Sequence, residues 1–103
     1  MAYEESLTLL ADSTRRAVFE RLRDGPAAAG DLARHFPVSR PAISQHLNTL
    51  LEAGLVEVER QGTRRIYSIR LTALEELRSW IEGFWDTALV RYKEALERDD
   101  NVD

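Results

Sequence analysis

Residues 39–54 read Ser-Arg-Pro-Ala-Ile-Ser-Gln-His-Leu-Asn-Thr-Leu-Leu-Glu-Ala-Gly. No other stretch constrains the fold as much, because both ends of one short helix are marked in it. Ser39 carries the side-chain oxygen that caps a helix N-terminus. Pro41 stands in the first turn, where a missing N–H costs nothing. Gly54 suits the left-handed position just past a helix C-terminus. Ile43, Leu47, Leu50 and Leu51 recur at i, i+4, i+7 and i+8 and form a single apolar stripe. Outside the stripe stand Arg40, Ser44, Gln45, Asn48 and Thr49, and no acid appears before Glu52. An ordinary solvated face mixes Glu with Lys. This face offers hydrogen-bonding side chains instead and fits an acceptor-rich partner such as the major groove of DNA.

The preceding segments are shorter helices. Tyr3 to Ala11 places Tyr3, Leu7 and Leu10 on one side, with Glu4 and Glu5 on the other. It is too short to be stable alone and must pack on something. Asp12 is placed to cap a second helix over 13–23, with Val18, Phe19 and Leu22 inward, and Gly25-Pro26 ends it. This helix carries Arg15, Arg16, Arg21 and Arg23. Two readings of them stand: a solvated face paired with Glu20 and Asp24, or phosphate contacts from Arg15 and Arg16 near the helix start. Ala28 to Phe36 reads as a third helix with Leu32, Ala33 and Phe36 inward, although Ala28 is a poor cap. Pro37-Val38 leaves room only for a tight turn before Ser39. Two short helices joined in this way make a helix-turn-helix.

Past Gly54 the apolar period changes from 3.6 to 2. Residues 55–60 alternate apolar and charged side chains, residues 64–69 repeat the β pattern, and Gly62 between them can supply positive φ, so a β-hairpin is expected. Its tip carries Arg60, Thr63, Arg64 and Arg65, either as a solvated turn or as a grip on a phosphate backbone. Tyr67 belongs to the hairpin core. Thr72 and Glu75 have the spacing of a capping box. The helix they open is expected to run to Arg98, about 40 Å at 1.5 Å per residue. Leu74, Leu77, Ile81, Phe84, Ala88, Tyr92 and Ala95 form its seam, widened by Trp80, Trp85, Leu89 and Leu96. So small a domain cannot cover such a helix, and a second copy of the chain is the expected cover. Asp99 to Asp103 is an acidic tail.

One domain is expected over 1–103, with a DNA-binding core at 5–70 and a dimerisation helix at 72–98. The fold class is mainly α with a small β-hairpin. The net charge of −4 argues against nucleic acid until its distribution is considered. Residues 13–70 hold ten arginines against six acids, a local net charge of +4, and both ends are acidic. There is no cysteine, so disulfides and thiolate metal sites are excluded. No apolar run approaches the roughly 18 residues of a membrane span, and no signal-type segment opens the chain. A cytoplasmic protein without membrane association is expected.

The residues also carry a family resemblance. Leu10-Ala11-Asp12-x-Thr14-Arg15-Arg16, followed by Ser39-x-Pro41-Ala42-Ile43-Ser44-x-His46-Leu47-x-x-Leu50-x-x-Ala53-Gly54-Leu55-Val56, resembles the ArsR/SmtB-type bacterial transcriptional repressors. It covers roughly residues 5–70, with the terminal helix compatible in position and length. The resemblance implies a winged helix-turn-helix, a homodimer built from the first and last helices, and a dyad-symmetric operator whose occupation represses the regulator's own operon. The chain departs from the family at Ser13, where Pro is frequent, and in its sensor. Metal-sensing members place cysteines near the recognition helix or His and carboxylate ligands on the terminal helix. Here the two histidines are His35 and His46, and Glu82 with Asp86 is no more than two carboxylates on one helix. No metal and no cofactor is expected.

The candidate DNA-contacting residues are therefore Ser39, Arg40, Pro41, Ser44, Gln45, His46 and Thr49 on the recognition helix, and Arg15, Arg16, Arg60, Thr63, Arg64 and Arg65 on the wing and backbone side. Arg40 suits a guanine edge and Gln45 an adenine edge. Ser39 can instead spend its hydroxyl on the cap, and His46, beside Leu47, can pack or meet a phosphate. The candidate dimer contacts are Tyr3, Leu7, Leu10, Leu77, Trp80, Ile81, Phe84, Trp85, Ala88 and Tyr92. Trp80, Phe84 and Trp85 either pack the interface or hold a small apolar effector, a reading that no other residue supports. An enzyme is the weakest class: there is no cysteine, no phosphate-binding Gly loop and no separated Ser/His/acid set. The alternative to a DNA-binding repressor is a winged helix that docks a protein partner on its acidic surface.

Overall fold

The computed structural model describes residues 2–100, and side chains from 4 to 98. Its elements are α1 (Ala2–Leu9), α2 (Ser13–Leu22), β1 (Ala27–Ala28), α3 (Ala29–Ala33), α4 (Arg40–Glu52), β2 (Val56–Gln61), β3 (Arg64–Ile69) and α5 (Leu71–Asp100). Local chemistry sets most of the boundaries. Asp12 caps α2, accepting a hydrogen bond from the Arg15 N–H at 2.9 Å. Ser39 caps α4 through the Ala42 N–H at 3.2 Å, with Pro41 in the first turn. At the other end of α4, Gly54 takes φ +78°. The Gly54 N–H then donates to the Leu51 carbonyl and the Leu55 N–H to the Leu50 carbonyl, the paired bonds of a Schellman turn. Leu50 and Leu55, which flank that turn, are both fully buried.

β2 and β3 form the expected hairpin, with Gln61 opposite Arg64 and only Gly62-Thr63 between them. Gly62 has φ +64° and no non-glycine residue among the described ones has positive φ, the sign pattern of a II′ turn. Leu32, Ile43, Leu47, Leu50 and Leu55 are fully buried and meet Val18, Phe19, Leu22, Val56 and Tyr67 in one core.

α1 stops at Leu9 rather than Ala11 and α2 at Leu22 rather than Arg23, and two larger differences from the sequence expectation follow. Ala28 takes the N-cap position of α3 without a side-chain bond, as a poor cap should, but the helix stops at Ala33, short of Phe36. Ala27 and Ala28 pair antiparallel with Tyr67 and Ile66, making a three-stranded sheet in the order β1-β3-β2. The free edge of β3 offers backbone donors and acceptors, whereas Ala28 has no side chain to cap a helix. α3 is left with five residues; Leu32 is buried, and Ala33 and Phe36 pack half-buried against the core. The second difference is at α5. It begins at Leu71, one residue before the expected cap, with the Arg70 carbonyl accepting from Ala73 and Leu74. Thr72 therefore lies inside the first turn. At the far end, α5 continues through Asp100, and the last residues of the acidic tail lie outside the described ones.

Ala73 and Leu77 pack against the core, and beyond them α5 projects away from it. The molecule extends 70 × 27 × 22 Å with a radius of gyration of 18.9 Å. A compact chain of this length has about 13 Å. Among the described residues no helix is long and apolar enough to cross a membrane.

Candidate nucleic-acid interface

The buried stripe of α4 fixes the helix against the core, and the helical period sorts its remaining residues into strips. Arg40, Ser44 and Asn48, at successive i+4 steps, face a groove of about 720 Å³ between α4 and the hairpin. Thr63, Arg64 and Arg65 of the hairpin and Gly30, Asp31 and Arg34 of the α3 region also line it. The Arg40 guanidinium lies over Gly30, where an added β-carbon would stand 3.7 Å from Cζ. Pro41 and Gln45 are exposed on the crest beside this strip.

The other expected recognition residues are placed differently. The Ser39 hydroxyl is held in the cap. The Thr49 hydroxyl donates to the Gln45 carbonyl at 3.0 Å, a bond back along the helix. His46 stands on the α2 side, and its Nδ1 is buried without a hydrogen-bond partner. It lies near Asp12. The Arg15 N–H holds the Asp12 carboxyl below its ordinary pKa, and the charges of His46 and Arg15 act in the same direction against partial desolvation. His35, the other histidine, bonds through Nδ1 to the Asp31 carbonyl at 2.8 Å.

Arg15 and Arg16 turn toward α1. Their Nη1 atoms donate to the carbonyls of Leu9 and Leu10 at 3.3 and 3.4 Å, satisfying acceptors that a helix C-terminus leaves open. Arg15 Nε is buried without a partner, and Arg16 remains exposed.

On the hairpin, Arg60 and Arg65 occupy directly opposite positions. Like charges so placed repel and weaken the pairing, so their presence fits an external anion. Arg65 lies over the Tyr67 ring with Cζ 5.8 Å from its centroid. Arg64 crosses to α3, with Nη2 2.6 Å from Asp31 Oδ2.

Gly30, Asp31 and Arg34 complete this surface and are not among the residues expected from the sequence, whereas Asn48 belongs to the polar face read from it. The spacing Arg40, Ser44, Asn48 carries a signal for Asn48. Asp31 has none, since Arg64 lies 33 positions away.

The expected dimer residues are unevenly covered by the chain itself. Leu7, Trp80, Ile81, Phe84, Trp85 and Tyr92 are exposed and Ala88 is half-buried. Leu10 and Leu77 are half-buried against the chain's own core. The Tyr3 side chain lies outside the described residues. The Trp80 and Phe84 rings stack in tilted fashion, 6.0 Å apart and at 33°. Among the described residues no three histidine or acidic side chains gather where they could hold a metal ion.

Comparison with known proteins agrees with this geometry. A helix-turn-helix domain family matches residues 10–59. An HTH-type transcriptional regulator of Mycobacterium tuberculosis is 51% identical over 88 residues, covering 85% of this chain and 82% of the relative. The transcriptional repressor SdpR of Bacillus subtilis is 39% identical over 75 residues, covering 73% and 83%. The solved structure of an ArsR-like transcriptional regulator from Rhodococcus matches with a TM-score of 0.73 at 31% identity, covering 91% of this chain and 92% of that one. These relatives are regulators rather than enzymes. The chain belongs to the ArsR family of winged helix-turn-helix transcription regulators.

Proposed function

We propose that the protein is a homodimeric repressor that binds a dyad-symmetric DNA operator. The carrying observation is the groove in which Arg40, Ser44 and Asn48 of α4 face the arginine-tipped hairpin. In this reading α4 enters the major groove. Arg40 and Gln45 read base edges, and Ser44 and Asn48 add hydrogen bonds. The hairpin is the wing, and Arg60, Thr63, Arg64 and Arg65 hold the flanking phosphates. Arg15 and Arg16 act first on the α1 carbonyls, and the exposed Arg16 is the better placed of the two to meet a phosphate.

Residues 5–70 form the DNA-binding part and 72–98 the pairing helix. A second copy covers Trp80, Phe84, Trp85 and Tyr92 and sets two α4 helices for half-sites about one DNA turn apart, roughly 34–36 Å. Such a complex would repress by occluding the polymerase, in the cytoplasm where the chromosome lies. In this reading release from DNA does not use a thiolate metal site, since the chain has no cysteine. The ring cluster on α5 serves the interface.

Selection of bound duplexes from a random pool at fixed salt tests the proposal. The expected result is a consensus with two-fold symmetry. Absence of salt-dependent DNA binding would overturn it and leave the protein-docking reading in its place.

A further inference from the structure

Asp31 is the one acid among the described residues lining the groove, which Arg34, Arg40, Arg64 and Arg65 also line. Its carboxylate takes Arg64 at 2.6 Å and Arg34 at 3.7 Å. The contact with Arg64 joins α3 to the wing across 33 positions of sequence, so it is made by the tertiary fold. The Asp31 and Arg64 side chains are 39% and 57% exposed.

A guanidinium bonded to a carboxylate makes the same kind of charge-assisted bond that it makes to a phosphate. A pair this exposed contributes little to stability and exchanges readily. We propose that Asp31 is an internal competitor for the DNA phosphate that Arg64 would hold. In the free protein the carboxylate occupies Arg64 and parks it over α3. On DNA, Arg64 gives up that carboxylate to take the phosphate. Asp31 thereby lowers affinity for any duplex and limits how far the wing alone can hold DNA. This inference rests on the reading of the wing as a phosphate contact.

The test is a double-mutant cycle of Asp31→Asn and Arg64→Ala in the full chain, titrated against a labelled random-sequence duplex at several potassium chloride concentrations. Circular dichroism melting follows the fold of each variant. Asp31→Asn is expected to tighten binding about two- to fivefold, the worth of one exposed ion pair. It should also steepen the salt dependence by up to about 0.9 in log–log slope. In the Arg64→Ala background both gains should largely vanish, since the competitor then has nothing to release. Weaker binding by Asp31→Asn would mean that Asp31 orients Arg64 for DNA, and would overturn the proposal. An equal gain with and without Arg64 would also overturn it, showing a general charge effect. If Arg64→Ala alone leaves binding and slope unchanged, the wing contact itself is wrong. If Arg64→Ala weakens binding but Asp31→Asn does nothing, only the role of Asp31 is lost. Should Asp31→Asn unfold, Asp31→Ser repeats the cycle at smaller volume.

Discussion

α4 and α5 are both amphipathic helices, but only α4 is completed within one chain. Ile43, Leu47 and Leu50 of α4 are 0% exposed, and its polar face is left free. In α5 the reverse holds: Phe84 is 62% exposed and Tyr92 65%, with Trp85 and Leu89 close behind. Aromatic and aliphatic surface on this scale, left open to water, marks an interaction face. The apolar pattern alone therefore does not decide whether a helix is buried. What decides is whether the same chain supplies a partner surface. α4 has α2, α3 and β2 around it, whereas α5 outruns the core after Leu77.

The sharpest way to break this comparison is to charge the exposed face. Phe84→Asp combined with Trp85→Asp should abolish self-association in sedimentation equilibrium and cost roughly 100-fold or more in operator affinity, the loss of a linked second site. A charged variant that stays dimeric would show that α5 is covered by something else. Second, Leu47→Ala should cost about 2–5 kcal/mol in urea unfolding, as for other fully buried leucines. Leu89→Ala should instead act mainly through the dependence of unfolding on protein concentration. If both variants behave alike, the contrast between the two helices fails.

Third, Arg40→Ala should weaken operator binding by roughly 1–3 kcal/mol and relax preference at one position per half-site. Binding measured against a panel of single-base operator variants checks this, and a uniform loss across the panel would remove the base-reading role. The smallest expected effect is that of Arg64→Ala: a similar loss on every sequence and a salt slope flatter by about one.

Much of the DNA-facing half is legible in the amino-acid sequence. Asp12, Ser39, Pro41, Gly54 and Gly62 mark their boundaries because capping and turn chemistry act over a few residues. The β1 strand is not legible. Two alanines carry no period, and they become a strand only because β3 presents an unpaired edge. The groove is half legible. The i+4 spacing of Arg40, Ser44 and Asn48 can be read from the sequence, but the roles of its neighbours cannot. Thr49 looks like a candidate beside Gln45, yet its hydroxyl is bonded back to the backbone.

Residue type at short, regular spacing is enough to specify the helix-turn-helix, the hairpin, the family and the apolar excess of the last helix. Each of these is a local pattern, written within one element or between neighbours in the chain. Other features arise only when the elements pack. Arg15 and Arg16 serve α1, and Arg64 meets Asp31. Those contacts join residues from separate elements. Their existence depends on how the elements come together in space, which no local pattern encodes.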